Sequence, residues 1–394
     1  MTNVTTDVDV LLPLVRGVVD ARLERVVAQL REHWHASAPA SDELLDAADA
    51  LLTGGKRMRA VLGAVGLALP GQSSARAEVL GGPIAARLGA ALELYQASAL
   101  VHDDIIDAAD TRRGRPAAHR RYAARHRQAG WQGAADSFGV NAAILLGDLL
   151  MSAASAQMGA AASRCDRAAA AAAREAFDAM TAEVAVGQFL DVHQEVLALP
   201  SPSQSPVDAG TAMRIAALEV VRHKSARYSV MYPLLIGALL AGAQPGSALL
   251  TALEVFGEEI GVAFQLRDDV LGVFGDPQVT GKPAGDDLRE GKRTVLVALT
   301  WQRCNDAGRA LLTRVLSGQA SGEKDIAAAA AVIRDCGALA AHEEEIAAHT
   351  AAGLAALDAL PEEPHAASRP IDASSQSARA LLADLATVLT ARQT

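Results

Sequence analysis

Apolar residues along this chain recur at three- and four-residue intervals almost everywhere and alternate in twos almost nowhere. From 88 to 107, LGAALELYQASALVHDDIID keeps the helical period until acids interrupt it. FGEEIGVAFQLRDDVLGVFGD, at 256–276, does the same and stops at GDP. Long alanine tracts at 152–188 and 326–359 continue the pattern. Alanine loses no side-chain entropy in a helix, and at 3% aromatic content the rings that favour strands are scarce. The expectation is an all-α protein.

With 394 residues, 51% of them hydrophobic, the chain can bury a large core. Three stretches read as loops: ALPSPSQSPVDA at 198–209, GDPQVTGKPAGDDLREGKR at 275–293 and PEEPHAASRPIDASSQ at 361–376. The last precedes a final helix at about 377–392. None is long enough to be a separate domain, so one domain is expected over 1–394, with the motifs at about 40–300 and further helices at 300–394. RHRQAGWQGAADSFG at 125–139 is irregular and carries no functional signal.

A net charge of −10 excludes a general nucleic-acid binder, because phosphates need a basic footprint. Cys165, Cys304 and Cys336 lie far apart with no C-x-x-C pair, as reduced cytosolic thiols do. The N-terminus puts acid before its apolar run and has no small-residue cleavage site, so no signal peptide is expected. The longest apolar run, at 232–243, falls short of the ~20 residues a bilayer requires. The expectation is a cytoplasmic protein without a transmembrane segment.

Asp103 and Asp107 are four apart and share a helix face, with Asp104 beside them. Like charges at that spacing repel, so the arrangement costs stability locally. It suits Mg²⁺, which takes one or two carboxylates together with phosphate oxygens and water. Alone, DDIID is as compatible with a solvated helix end. Asp268 and Asp269 end a second apolar helix, and two such helices could point both pairs at one metal cluster. Basic residues next to glycines accompany them: Lys56, Arg57 and Arg59 in GGKRMR, Arg112 and Arg113 in RRG, and Lys282 and Lys292 in TGK and EGK. Lys224 and Ser225 lie in the helical VRHKSARYS. Arginine forks and lysine charges grip phosphate, and glycine lets backbone approach it. The pattern suggests a site for two phosphorylated groups, and the intervening apolar helices suggest a hydrophobic body on at least one of them.

GGKRMR, DDIIDAADTRRGRPAAH and FQLRDDVLGVFGDPQVTGKPAGDDLREGKRT, in this order, resemble the trans-isoprenyl diphosphate synthases, and most of all actinobacterial geranylgeranyl diphosphate synthases. The resemblance implies a helical bundle around a deep central cavity and a homodimer. It implies head-to-tail condensation of isopentenyl diphosphate with dimethylallyl, geranyl or farnesyl diphosphate. Three Mg²⁺ ions would be held by Asp103, Asp107 and Asp268, with Asp104, Asp269 and Lys224 also in the catalytic set. Lys56, Arg59, Gln96 and Arg113 are implied for isopentenyl diphosphate, with Gln96 where many relatives have histidine. Arg112, Lys224, Ser225, Gln265, Lys282 and Lys292 are implied for the allylic diphosphate, with Ser225 where threonine is usual. The second motif departs from DDxxD at Gly272, which weakens its outer metal contact.

Chain growth in this family runs below the first acidic helix, where an aromatic ring stops it. Ser98 and Ala99, five and four residues before Asp103, are small, so a geranylgeranyl product is expected, with farnesyl or longer polyprenyl products as alternatives. Small residues there could instead serve close helix packing. Deeper control could fall to Leu145, Leu149 and Met151. A class I terpene cyclase would lack the GGKR and RRG grips, and a silent partner subunit would lose an aspartate pair. This chain keeps both.

Overall fold

The computed structural model describes residues 7–36, 38, 40–70, 76–112, 114–201, 203–276, 284–360 and 378–391. The chain is helical almost throughout, and it divides into two compact units. One consists of 1–178, 232–251 and 361–384; the other of 179–231, 252–360 and 385–394. Both draw on separated stretches of chain.

The first unit contains α1 (Asp7–His35), α2 (Ser41–Leu52), α3 (Met58–Ala68), α4 (Arg76–Leu80), α5 (Pro83–Ile106), α6 (Ala118–Ala129) and α7 (Ala135–Ala162). It also holds the start of α8 (Arg167–Val196) and all of α10 (Tyr232–Leu240). α5 begins with Gly82 extended and Pro83 in the first turn, where proline's missing N–H costs nothing. Its inner face, with Leu88 and Leu92 fully buried, packs against α1, α3 and α7. The only strands among the described residues form a hairpin, Thr111–Arg112 against Arg115–Pro116, whose turn includes Gly114 at φ +70°.

The irregular 125–139 stretch proves to be a packed corner between α6 and α7. Trp131 stands edge-on to His126 at 5.9 Å and to Phe138 at 5.3 Å, with Arg125 over its face. Arg125 in turn pairs with Glu43 at 2.9 Å, and Arg127 with Asp136 at 2.6 Å. α7 itself is long and apolar enough to cross a membrane, unlike the 232–243 run considered from sequence. Here its inner face packs on α5 and α6.

The second unit holds the rest of α8, α9 (Pro206–Val220), a π-helix (Val221–Met231) and most of α11 (Ala248–Phe274). After these come α12 (Asp286–Arg289), α13 (Val295–Arg303), α14 (Asp306–Leu316), α15 (Glu323–Asp335) and α16 (Ala338–Ala356). The end of α17 (Ala378–Thr390) completes it. α9, α13 and α14 are capped by side chains at their starts: Ser205 accepts from Asp208 N–H, Thr294 from Val297 and Asn305 from Gly308. Leu266, Leu288, Leu296, Leu312 and Ile333 meet in its core.

The C-terminal helices, which carry no motif, hold the second acidic helix in place. His342 Nε2 donates to the Leu266 carbonyl at 2.8 Å, although that carbonyl lies within α11. Arg267 forks onto both oxygens of Glu343 at 2.5 and 2.7 Å and donates from Nε to the Thr390 carbonyl at 3.3 Å. The residue preceding Asp268 is thereby fixed by two later helices.

Candidate active site

The first acidic motif closes α5 in the first unit. Asp104 is buried, whereas Asp103 and Asp107 are half-buried. The hairpin returns Arg112 to this end: its Nε donates to Asp104 Oδ1 at 2.7 Å and an Nη to Asp103 Oδ2 at 3.2 Å. Burial alone would lower the Arg112 guanidinium, but Asp104, Asp103 and Asp107 outweigh it and hold it above its ordinary value. The repulsion foreseen between the aspartates is therefore offset by one arginine. Arg112 thus holds Asp103 and Asp104 together, with Asp107 half-buried on the next turn. The turn beyond is strained, since Ala108 sits at φ +50°. Arg113 lies outside the described residues.

GGKRMR separates its cations. Lys56 is exposed in the loop before α3. Arg57 adopts φ +55°, turns inward and is 6% exposed, donating to Asp20, Glu93 and the Leu52 carbonyl. Arg57 is thus structural. Arg59, the second residue of α3, donates to Gln96 Oε1 on α5, which joins two residues that the resemblance implies for isopentenyl diphosphate. Ser98 is buried and Ala99 half-buried, and one turn before Ser98 the buried Tyr95 meets Phe177 edge-on at 6.3 Å. Leu145 is 60% and Met151 43% exposed on α7, so these two do not line the interior of this unit; the buried residues of the helix include Leu146, Leu150 and Met158.

In the second unit, Lys224 and Ser225 ride on the π-helix, a rare conformation concentrated at functional positions. α8 comes against it at Gly187, where any β-carbon would overlap the Lys224 backbone. Lys224 Nζ donates to Asp191 Oδ2 at 2.5 Å. Beside it Glu183 receives both His223 at 2.6 Å and Arg227 at 2.7 Å.

Asp268 and Asp269 lie on α11, which runs on to Phe274. Asp268 is half-buried and Asp269 is 4% exposed. Gln265 Nε2 donates to Asp269 Oδ1 at 3.0 Å, and among the described residues Asp269 Oδ2 has no hydrogen-bond partner. Burial pushes the Asp269 carboxyl well above the usual carboxylate range, aided by Asp287 and Asp268 and opposed first by the Gln265 hydrogen bond and then by Lys292. Lys292 pairs with Glu290 at 2.6 Å, and Lys282 lies outside the described residues.

These donors fit Mg²⁺. They are hard oxygens, and the buried Asp269 oxygen lacks a partner among the described residues. Among the described residues no three acidic, histidine or cysteine side chains form a metal cage by themselves. Sequence reasoning passed over Asp191 and Asp287. Their nearest signals were the acid in GQFLD and the second aspartate of GDD.

The chain is all-helical, with one aspartate pair in the last turn of α5 and another on α11, which runs on to Phe274. A family profile described as Polyprenyl synthetase matches residues 41–333. The chain belongs to that family. It is 36% identical to a crystal structure of geranylgeranyl pyrophosphate synthase from Corynebacterium glutamicum complexed with isoprenyl diphosphate and magnesium, with a TM-score of 0.81 over 97% of this chain and 99% of that one. It is 29% identical to a geranylgeranyl diphosphate synthase of Sulfolobus acidocaldarius, covering 72% of this chain and 74% of the relative. It is 32% identical to a geranylfarnesyl diphosphate synthase of Aeropyrum pernix, covering 73% and 77%.

Proposed function

We propose that this chain is a Mg²⁺-dependent prenyltransferase that joins isopentenyl diphosphate to dimethylallyl, geranyl or farnesyl diphosphate and ends at geranylgeranyl diphosphate. The observation that carries the reading is the Arg112 guanidinium fixed on both Asp103 and Asp104 at the acidic end of α5. Asp103, Asp107 and Asp268 would hold three Mg²⁺ ions, which neutralise the diphosphate as it leaves the allylic carbon. Lys224, Ser225, Gln265 and Lys292, with Arg112, bind and orient the allylic diphosphate. Lys56, Arg59 and Gln96 hold isopentenyl diphosphate so that its double bond faces that carbon. The allylic C–O bond breaks, a C–C bond forms, and the proton lost from the adduct passes to the released diphosphate.

Small side chains at Ser98 and Ala99 favour a product longer than farnesyl, and the Tyr95–Phe177 ring pair one turn further down gives a floor for the geranylgeranyl chain. We place a homodimer contact on the outer face of α7, where Ile144, Leu145 and Met151 stand exposed, with α7 acting as a core helix rather than a membrane span. The three free cysteines agree with a cytoplasmic enzyme.

The test compares diphosphate release from farnesyl diphosphate alone with release when isopentenyl diphosphate is added. A synthase releases diphosphate only with both, one for each isopentenyl unit incorporated. Release from farnesyl diphosphate alone, without incorporation, would identify a cyclase instead.

A further inference from the structure

The π-helix that carries Lys224 and Ser225 is gripped from two sides. On α8, any β-carbon at Gly187 would overlap the Lys224 backbone, and on α11 one at Gly261 would overlap the Ala226 carbonyl. Such contacts set how closely the backbones approach but leave their rotation and register open. Arg227, three residues after Lys224, supplies both. Its Nε donates to Glu258 Oε2 on α11 at 2.7 Å, and its Nη1 donates to Glu183 Oε1 on α8 at 2.7 Å. His223, next to Lys224, donates from Nδ1 to the same Glu183 oxygen at 2.6 Å. Both carboxylates are partly buried, with the Glu183 side chain 16% and the Glu258 side chain 26% exposed. Burial alone would lower the Arg227 guanidinium, but its bonds to Glu258 and Glu183 hold it above its ordinary value. The three elements joined here bear candidate site residues of the second unit: Asp191 on α8, Lys224 and Ser225 on the π-helix, and Gln265, Asp268 and Asp269 on α11.

We propose that Arg227 is a positioning residue, which sets Lys224 against the allylic diphosphate by tying the π-helix to Glu183 and Glu258. Lys224 Nζ reaches Asp191 Oδ2 at 2.5 Å, so a small rotation of the π-helix against α8 moves the ammonium off that carboxylate. Asp191 and Glu183 ride on the same helix, and the anchor at Glu183 therefore fixes the register against which Lys224 is placed. The position calls for arginine, because Nε and Nη1 reach two carboxylates at once, whereas a lysine ammonium is a single point charge. The inference rests on the reading of Lys224 as a ligand of the allylic diphosphate.

The test measures binding of farnesyl thiodiphosphate, an allylic analogue that ionises poorly, in the presence of Mg²⁺ by titration calorimetry. Lys224→Ala should weaken binding roughly 10–100-fold, the usual loss when a charged hydrogen bond is removed. Arg227→Lys, which keeps the charge, should weaken it about tenfold and leave the KM for isopentenyl diphosphate unchanged. The two combined should bind no more weakly than Lys224→Ala alone, because Arg227 acts through Lys224. Binding as tight as the parent in Arg227→Lys overturns the proposal, and so does a double variant whose losses add. Glu258→Gln, which keeps an acceptor of the same shape, should show the same non-additivity at smaller size, and it decides the matter if Arg227→Lys fails to unfold cooperatively. A parent that does not bind the analogue, or Lys224→Ala that binds it as tightly as the parent, would instead overturn the reading of Lys224 itself.

Discussion

GGKRMR holds two arginines two residues apart, and exchanging each for alanine should separate stability from catalysis. The Arg57 side chain is 5% exposed and faces Glu93, whose side chain is 9% exposed, at 3.3 Å. Removing one partner of such a pair strands the other charge in the interior, at ~3–5 kcal/mol. The second partner, Asp20, is 38% exposed, so its 2.8 Å pair adds only ~0–1 kcal/mol. Alanine keeps the unfavourable positive φ of Arg57 and recovers nothing there. Arg57→Ala should therefore lose ~3–5 kcal/mol in urea unfolding, a large share of a typical domain's 5–15 kcal/mol. Adding Glu93→Gln removes the stranded charge and should return part of the loss, which a double-mutant cycle measures as coupling. Arg59→Ala should behave in the opposite way, with stability nearly unchanged and kcat/KM for isopentenyl diphosphate down by about 10²-fold. An Arg57→Ala protein of parental stability but raised KM for isopentenyl diphosphate would refute this division.

Asp103→Ala should abolish turnover while leaving helical circular dichroism unchanged, and wild-type rates in that variant would sink the metal assignment. Ser98→Phe forces a ring into a buried position on α5, so it should shorten the product as read by chromatography of the dephosphorylated alcohols; an unchanged product would mean Ser98 does not face the growing chain. His342 is fully buried, and burial lowers its imidazole despite the Leu266 carbonyl that it contacts. Its folded pKa lies below its unfolded value, so its contribution is complete above roughly pH 6.5 and is lost as pH falls through the lower folded value. His342→Gln should therefore lose less stability than wild type between about pH 7.5 and pH 5. Equal losses would remove His342 from the acid response.

The helical class and both aspartate motifs were legible because helix period and charge are local properties of sequence. The identity of a residue's partner is not. Lys56 and Arg57 are adjacent cations, yet backbone conformation at Arg57 sends one outward and the other to Glu93. VRHKSARYS reads as ordinary α-helix, because the π-helix around Lys224 depends on close approach at Gly187 and on Asp191, more than thirty residues earlier. Gly272 was visible as a missing acid, but the Asp287 carboxylate lying in the space a side chain there would fill is a matter of packing. The helices after 300 gave no motif, because what they contribute is a brace, with His342 on Leu266 and Glu343 on Arg267. Leu145 and Met151 illustrate the reverse error, since apolar character alone did not say which face of α7 they occupy.

Purified protein incubated with Mg²⁺, labelled isopentenyl diphosphate and, in turn, dimethylallyl, geranyl and farnesyl diphosphate tests the central claim most directly. Label should enter a geranylgeranyl product from every primer, and chelation of the metal should stop it. No incorporation with any primer would contradict the assignment as a prenyl diphosphate synthase.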